Sequence, residues 1–214
     1  MKIYTGMVYG DDLAKVKELG VGVMISSTPS GYKPTKEYKE VSCALDNGAF
    51  RCWQKGYPFM DRYFWQAMEK CYQLDLDLDF IVCPDLVTCG LESLRFSLRY
   101  AHERLCGCPR LALSVQDGMT PDMIHDMTAD IGFSRIFVGG SVDWKWQTVK
   151  DWVTFAHDHA CLCHVGRCGT MEALDRAMGA GADSVDSVNF VRNDKWQDLH
   201  RYLGGTGSLF GESV

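Results

Sequence analysis

Nowhere in the 214 residues does an apolar run reach eighteen, so no segment reads as a bilayer-spanning helix. There is no low-complexity stretch, no long block of one charge and no Pro/Gly-rich linker. No domain boundary is placed, and residues 1–214 are expected to form one domain. The opening MKIYTGMVYGDD meets Gly and two Asp before any useful apolar stretch, which does not read as a secretory signal. Positive charge is in deficit: 22 Lys and Arg against 28 Asp and Glu leave a net charge of −6. A chain of this balance is no generic polyanion binder, and nucleic acid would have to meet a local basic patch. The composition, 46% hydrophobic and 23% charged, also excludes a disordered or fibrous protein.

What is plentiful is cysteine. Ten Cys in a chain of this length without an export signal read as small core residues in a reducing compartment, with metal ligation second. A cytoplasmic location is the expectation.

Short apolar runs alternate with amphipathic ones. The short runs are Lys2–Thr5, Val21–Ser26, Ser42–Asp46, Phe80–Pro84, Arg110–Val115, Arg135–Gly139, Leu162–Val165 and Ser184–Val188, each with the length and flanking turn residues of a buried strand. Helical periodicity covers Pro58–Leu74, Leu94–Leu105 and Trp144–His157. Thr120-Pro-Asp-Met and Thr170-Met-Glu-Ala open further helices, and Asn193–Leu203 is a last one, stopped by Gly204-Gly205. Parallel neighbours need a crossover, so eight strands separated by helices predict a parallel sheet. Eight is the count of the (β/α)8 TIM-type barrel. An open doubly wound sheet would normally carry a Gly-rich phosphate loop after its first strand, and Thr5-Gly-Met-Val-Tyr-Gly is not one. The α/β barrel is preferred.

In such a barrel the chemistry sits at the C-terminal ends of the strands. Those ends carry Asp46-Asn47-Gly48, Pro84-Asp85, Gln116-Asp117-Gly118, Gly139-Gly140, His164-Val165-Gly166-Arg167 and Asp186. Taken singly, each could do no more than shape a turn. Together, three carboxylates at one mouth would repel one another, an arrangement normally kept for chemistry. Carboxylates, a Gln and a Gly-Gly floor suit a planar, donor-bearing ligand such as a purine-like base. A carboxylate can also attack an anomeric carbon to give a covalent glycosyl-enzyme.

These motifs resemble the tRNA-guanine transglycosylases. Asp46-Asn47-Gly48-Ala49-Phe50 is similar to their Asp-Ser-Gly-Gly-Phe segment, and Ser114-Val115-Gln116-Asp117-Gly118 to their Val-Gln-Gly turn. Val138-Gly139-Gly140-Ser141 resembles their Gly-Gly base-binding turn, and Gly166-Arg167-Cys168-Gly169-Thr170 falls where they have Gly-x-Gly-Thr. The segment from Gly181 through Asp186-Ser187 to Arg192-Asn193 looks like the one that ends in Phe-Asp-Cys and Thr-Arg-Asn. The matches keep family order over residues 42–194. The resemblance implies exchange of guanine in a polynucleotide for a 7-deazaguanine. By position, Asp186 would be the nucleophile and Asp46 the general acid/base, while Asp85, Gln116, Gly139 and Gly140 would hold the base. The tRNA enzymes carry a zinc-binding Cys-x-Cys-x-x-Cys and His after the nucleophile, whereas no Cys follows Asp186 here. A short, zinc-free relative resembles instead the phage and bacterial proteins that place 7-deazaguanines in DNA. DNA is therefore the expected polymer. A tRNA-modifying enzyme is the alternative, as is a non-catalytic nucleic-acid-binding subunit working with a partner protein or a second copy of itself.

Cations that could meet phosphates follow the strands: Lys33, Lys36, Lys39, Arg51, Lys55, Lys145, Arg167, Arg192 and Lys195. Of these, Arg167, Arg192 and Lys195 are the expected nucleic-acid contacts. Cofactors are not expected. The one rival signal is zinc at Cys161 and Cys163, which can share a face of a strand that His164 cannot join. Asp75, Asp77 and Asp79 read as a solvated helix end or strand edge, and Trp144, Trp146 and Trp152 as a helix packing on the barrel.

Overall fold

Short buried strands that all run the same way must be joined by crossovers, and here every crossover returns the chain to the next strand of one closed sheet. The computed structural model describes residues 1–27, 33–128 and 132–208. Its strands are β1 (Lys2–Gly6), β2 (Gly22–Ser26), β3 (Cys43–Asp46), β4 (Leu78–Val82), β5 (Leu111–Val115), β6 (Arg135–Val138), β7 (Leu162–Val165) and β8 (Ser184–Asp186). They pair in sequence order and in parallel, and β8 closes on β1 with Val185 opposite Ile3. This is the (β/α)8 barrel that the alternation predicts.

Side chains of period two divide the core in two. Tyr4, Met24, Ala44, Phe80, Val82 and Ala112 point into the barrel with Phe137 against them. Their neighbours Ile3, Val23, Ile25, Leu45, Ile81 and Leu113 point outward into a larger core under the helices. Burying a side chain of this size is worth about 1.5–3 kcal/mol, so both registers are fixed by the same strands. The floor of the barrel is polar: the Tyr4 hydroxyl (2.5 Å) and the Lys2 ammonium (2.8 Å) both donate to Asp79 Oδ2.

The outer layer comprises α1 (Asp11–Glu18), α2 (Ala49–Gln54), α3 (Asp61–Gln73), α4 (Gly90–Arg104), α5 (Pro121–Thr128), α6 (Val142–Asp158), α7 (Met171–Ala180), α8 (Asn189–Arg192) and α9 (Trp196–Ser208). The Thr170 hydroxyl accepts from the Ala173 N–H and caps α7, and Ser141 does the same for α6 through Trp144. Trp152 is fully buried, with Trp144 and Trp146 packed against the same core, so the tryptophans hold α6 to the barrel. Asp75 and Asp77 are exposed, paired with Lys39 and Arg110, and Asp79 faces the floor.

The last helix departs from its predicted bounds. The chain breaks between α8 and α9 at Asn193–Lys195, and α9 then runs through Gly204-Gly205 rather than stopping there. Glycine weakens a helix by about 1 kcal/mol but ends one only where the backbone turns left-handed. Here Trp196 and Leu199, both in the core, dock α9 to the barrel. No helix among the described residues is long and apolar enough to cross a membrane.

Candidate active site

The mouth is assembled where β3, β4 and β8 end. Asp46 is the last residue of β3, and its carbonyl accepts from the Ser27 hydroxyl at 2.5 Å. Asn47 then ties two strands together: its amide nitrogen donates to Cys83 O and to Asp85 Oδ1, each at 2.8 Å, while its Oδ1 accepts from the Ala49 N–H. Gly48 makes the turn into α2 at φ 79°. A Cβ on Gly48 would lie 2.3 Å from the Ser27 carbonyl oxygen, so no other residue fits. Gly48→Ala is expected to cost about 2–4 kcal/mol in urea unfolding, combining left-handed strain with the overlap. An unchanged midpoint would remove the glycine requirement.

The three carboxyls stand in different environments. Asp46 is pushed up to about 7, first by burial and then by the charge of Asp186, with Asp85 adding to it; N–H groups of Gly48 and Asn47 pull the other way. Asp85 is buried, and burial also raises it, against hydrogen bonds from Asn47 and Ser114. Asp186, with its side chain 18% exposed, is held by one oxygen: Oδ1 lies 3.0 Å from His164 Nε2 and accepts from the Arg167 N–H at 3.1 Å. Arg167 adopts φ 59°, a left-handed conformation costly for a residue with a Cβ, and this aims its N–H at Asp186.

The other residues singled out from the sequence divide. Gln116 is buried and its amide nitrogen donates to Leu86 O at 3.0 Å and Ser93 Oγ at 2.7 Å, so its two donors fasten the loop after β4 and the first turn of α4. The Gly139 N–H donates to Val115 O within the sheet. Gly140 turns at φ 69° against Trp144 and Asp117, and its carbonyl accepts from the Arg167 guanidinium. Burial opposes ionisation of Asp117, but hydrogen bonds from Ser141 and the nearby Arg167 outweigh it and hold the carboxyl below its ordinary value. The gathering at the mouth is thus Asp46, Asp85, Asp186, Gly140 and Arg167, with Gln116 and Gly139 bracing it from behind.

The cations also divide. Arg51, Lys55, Arg167, Arg192 and Lys195 are exposed on segments that follow β3, β7 and β8. The Arg167 guanidinium lies 4.5 Å over the Phe50 ring, which stacks on the half-exposed Trp53. Lys145 is no phosphate contact: it is 2% exposed and donates to Gly166 O at 2.6 Å. Lys39 pairs with Asp75 at the opposite end of the barrel, where the chain enters β4.

Cys163 is buried beneath the helices, its thiol pushed up to about 12 by that burial, while Cys161 donates to Phe133 O. Among the described residues, no three His, Cys, Asp or Glu side chains gather as a metal site, so the zinc alternative finds no third ligand there. His164, which the sequence puts at a strand end without giving it a role, is the further residue that the structure ties to the site. It stands inside the barrel with Ser184 and Arg135, and the signal for it was an Arg, a His and a Ser on three successive short strands. Chemically, the mouth offers one carboxyl that holds a proton near neutrality beside another oriented by two N–H donors. No protein-family model matches the chain, and no curated protein matches it in sequence.

Proposed function

We propose that the chain exchanges guanine in a polynucleotide, DNA by preference, for a 7-deazaguanine through a covalent glycosyl intermediate on Asp186. The observation that carries this reading is the pairing of Asp46 with Asp186: a buried carboxyl pushed up to about 7 beside one held through a single oxygen by two N–H donors suits one acid/base and one nucleophile. The order of the transglycosylase-like motifs supplies the substrate class. In the first half-reaction an Asp186 oxygen bonds to C1′ as the C1′–N9 bond breaks, and Asp46 gives its proton to the departing guanine. In the second, Asp46 takes the N9 proton of the incoming base, N9 bonds to C1′, and Asp186 is released. The exchange balances with no net proton and no redox partner.

Asp85, fixed through Asn47, is suited to the donor edge of the base. Gly140 lines the same mouth, and Gln116 and Gly139 serve by holding the walls. The exposed Arg51, Lys55, Arg167, Arg192 and Lys195 provide the local positive rim that an acidic chain needs for phosphate. A duplex must expose its guanine before Asp186 can reach the sugar, so single-stranded or flipped substrate is implied. The test is to incubate the chain with labelled 7-deazaguanine and either DNA or tRNA, then digest to nucleosides. Label in DNA is expected. Label in tRNA alone would replace the polymer and keep the chemistry, while label in neither would favour the non-catalytic, partner-dependent role.

A further inference from the structure

Behind the mouth, a line of polar side chains runs along the interior of β6, β7 and β8, and the base exchange as written uses none of it. Its hydrogen-bond directions follow from the inventory of donors. A guanidinium only donates, so Ser184 Oγ accepts from Arg135 at 2.8 Å. The Ser184 proton is then available to His164 Nδ1, 2.9 Å away. A carboxylate oxygen only accepts, so the ring proton lies on Nε2, 3.0 Å from Asp186 Oδ1, and Nδ1 of the neutral ring accepts from Ser184. The ring is fully buried, stacked on Phe137 at 4.7 Å with Phe80 at 5.1 Å. Burial holds His164 below its ordinary value although Asp186 pulls upward, which favours the neutral ring.

We infer that Arg135, Ser184 and His164 are positioning residues: they lock the Nε2–H tautomer of His164, which holds Asp186 by Oδ1 and leaves Oδ2 as the oxygen that bonds to C1′. The reacting role of Asp186 rests on the proposed function; the hydrogen-bond chain does not. Both donors to Asp186, from His164 and from Arg167, reach Oδ1, and among the described residues Oδ2 receives no hydrogen bond. As Oδ2 bonds to C1′, the proton stays on Nε2, and the same donor receives the carboxylate when the bond breaks. Fixing a reacting group in this way lowers the reorganisation needed to reach the transition state. The charged and titratable groups facing Asp186 are Asp46 from β3, Lys145 from α6, and Arg167 and Cys168 from the turn after β7.

Two measurements on the full chain test this. The first is nitrogen NMR of 15N-histidine protein at pH 7. The buried imidazole is expected to show a protonated Nε2 and a bare Nδ1, and Ser184→Ala, which barely changes volume, should disturb that state. The opposite tautomer, or an imidazolium, overturns the inference whatever the activity. The second compares His164→Leu with His164→Gln, whose amide can donate from the position of Nε2. Adduct formation on single-stranded guanine-containing DNA should fall about 10- to 100-fold in the Leu variant, with KM unchanged, and largely recover in the Gln variant. Equal loss in both, or none in either, assigns His164 to packing alone. A wild-type chain that forms no adduct with DNA or RNA would defeat the transglycosylase reading, while the tautomer measurement still decides the hydrogen-bond chain.

Discussion

Asp186→Asn is expected to lower guanine exchange at least about 1,000-fold and to remove the protein–polynucleotide adduct from intact-mass spectra. An amide is a poor nucleophile, yet its Oδ1 still accepts from His164 Nε2 and the Arg167 N–H, so the mouth should keep its shape. Asp186→Ala provides the contrast. It leaves those two donors facing nothing and should also cost about 1–3 kcal/mol of stability. Undiminished exchange by the Asn variant would move the nucleophile elsewhere.

Asp46→Asn should do two opposite things. Exchange is expected to fall about 100- to 10,000-fold, the usual contribution of a placed acid/base. Stability at pH 8 should rise. An ordinary Asp ionises near pH 4, whereas Asp46 in the folded chain keeps its proton up to about 7, owing to burial and the charge of Asp186. Between those values the folded chain holds one proton more than the unfolded one. Stability contributed by this group is therefore complete below about pH 4 and is lost as pH rises to about 7, by at most about 4 kcal/mol. Coupling to Asp186 and residual solvent access reduce that figure. A gain of about 1–3 kcal/mol for Asn at pH 8, vanishing below pH 4, is the expectation, read as roughly 2–4 °C in Tm for each kcal/mol. A difference between variant and wild type that stays flat from pH 4 to 8 would show that Asp46 carries no such proton.

The barrel was legible because burial forces it: runs such as Leu111–Val115, apolar but for Ser114, are buried throughout, and parallel strands leave no short connection. The carboxyls at the strand ends were legible for the same reason, since strand order alone carries Asp46, Asp85 and Asp186 to one rim. Direction was harder to read. Gln116 has the chemistry of a base-reader, but which of its neighbours takes its N–H groups depends on the return of the chain at Ser93, a contact 23 residues away. Lys145 failed similarly: α6 turns it inward under Gly166, which no local pattern announces. The short α2 and α8, and the break before Trp196, follow from docking on the barrel rather than from periodicity, as does the passage of α9 through two glycines.

The polar line through the barrel has a consequence for how this scaffold can change. In most barrels of this kind the interior is apolar filling, and one aliphatic residue can replace another with modest loss. Here Arg135 donates to Ser184, Ser184 meets His164 and His164 meets Asp186, so a lone substitution breaks a buried hydrogen bond and also reaches the Asp186 carboxyl. Drift at these positions has to be concerted or absent. New specificity would therefore come from the turns around the mouth, from the segment holding Phe50 and Trp53 and from the loop at Arg167, while the axis stays fixed.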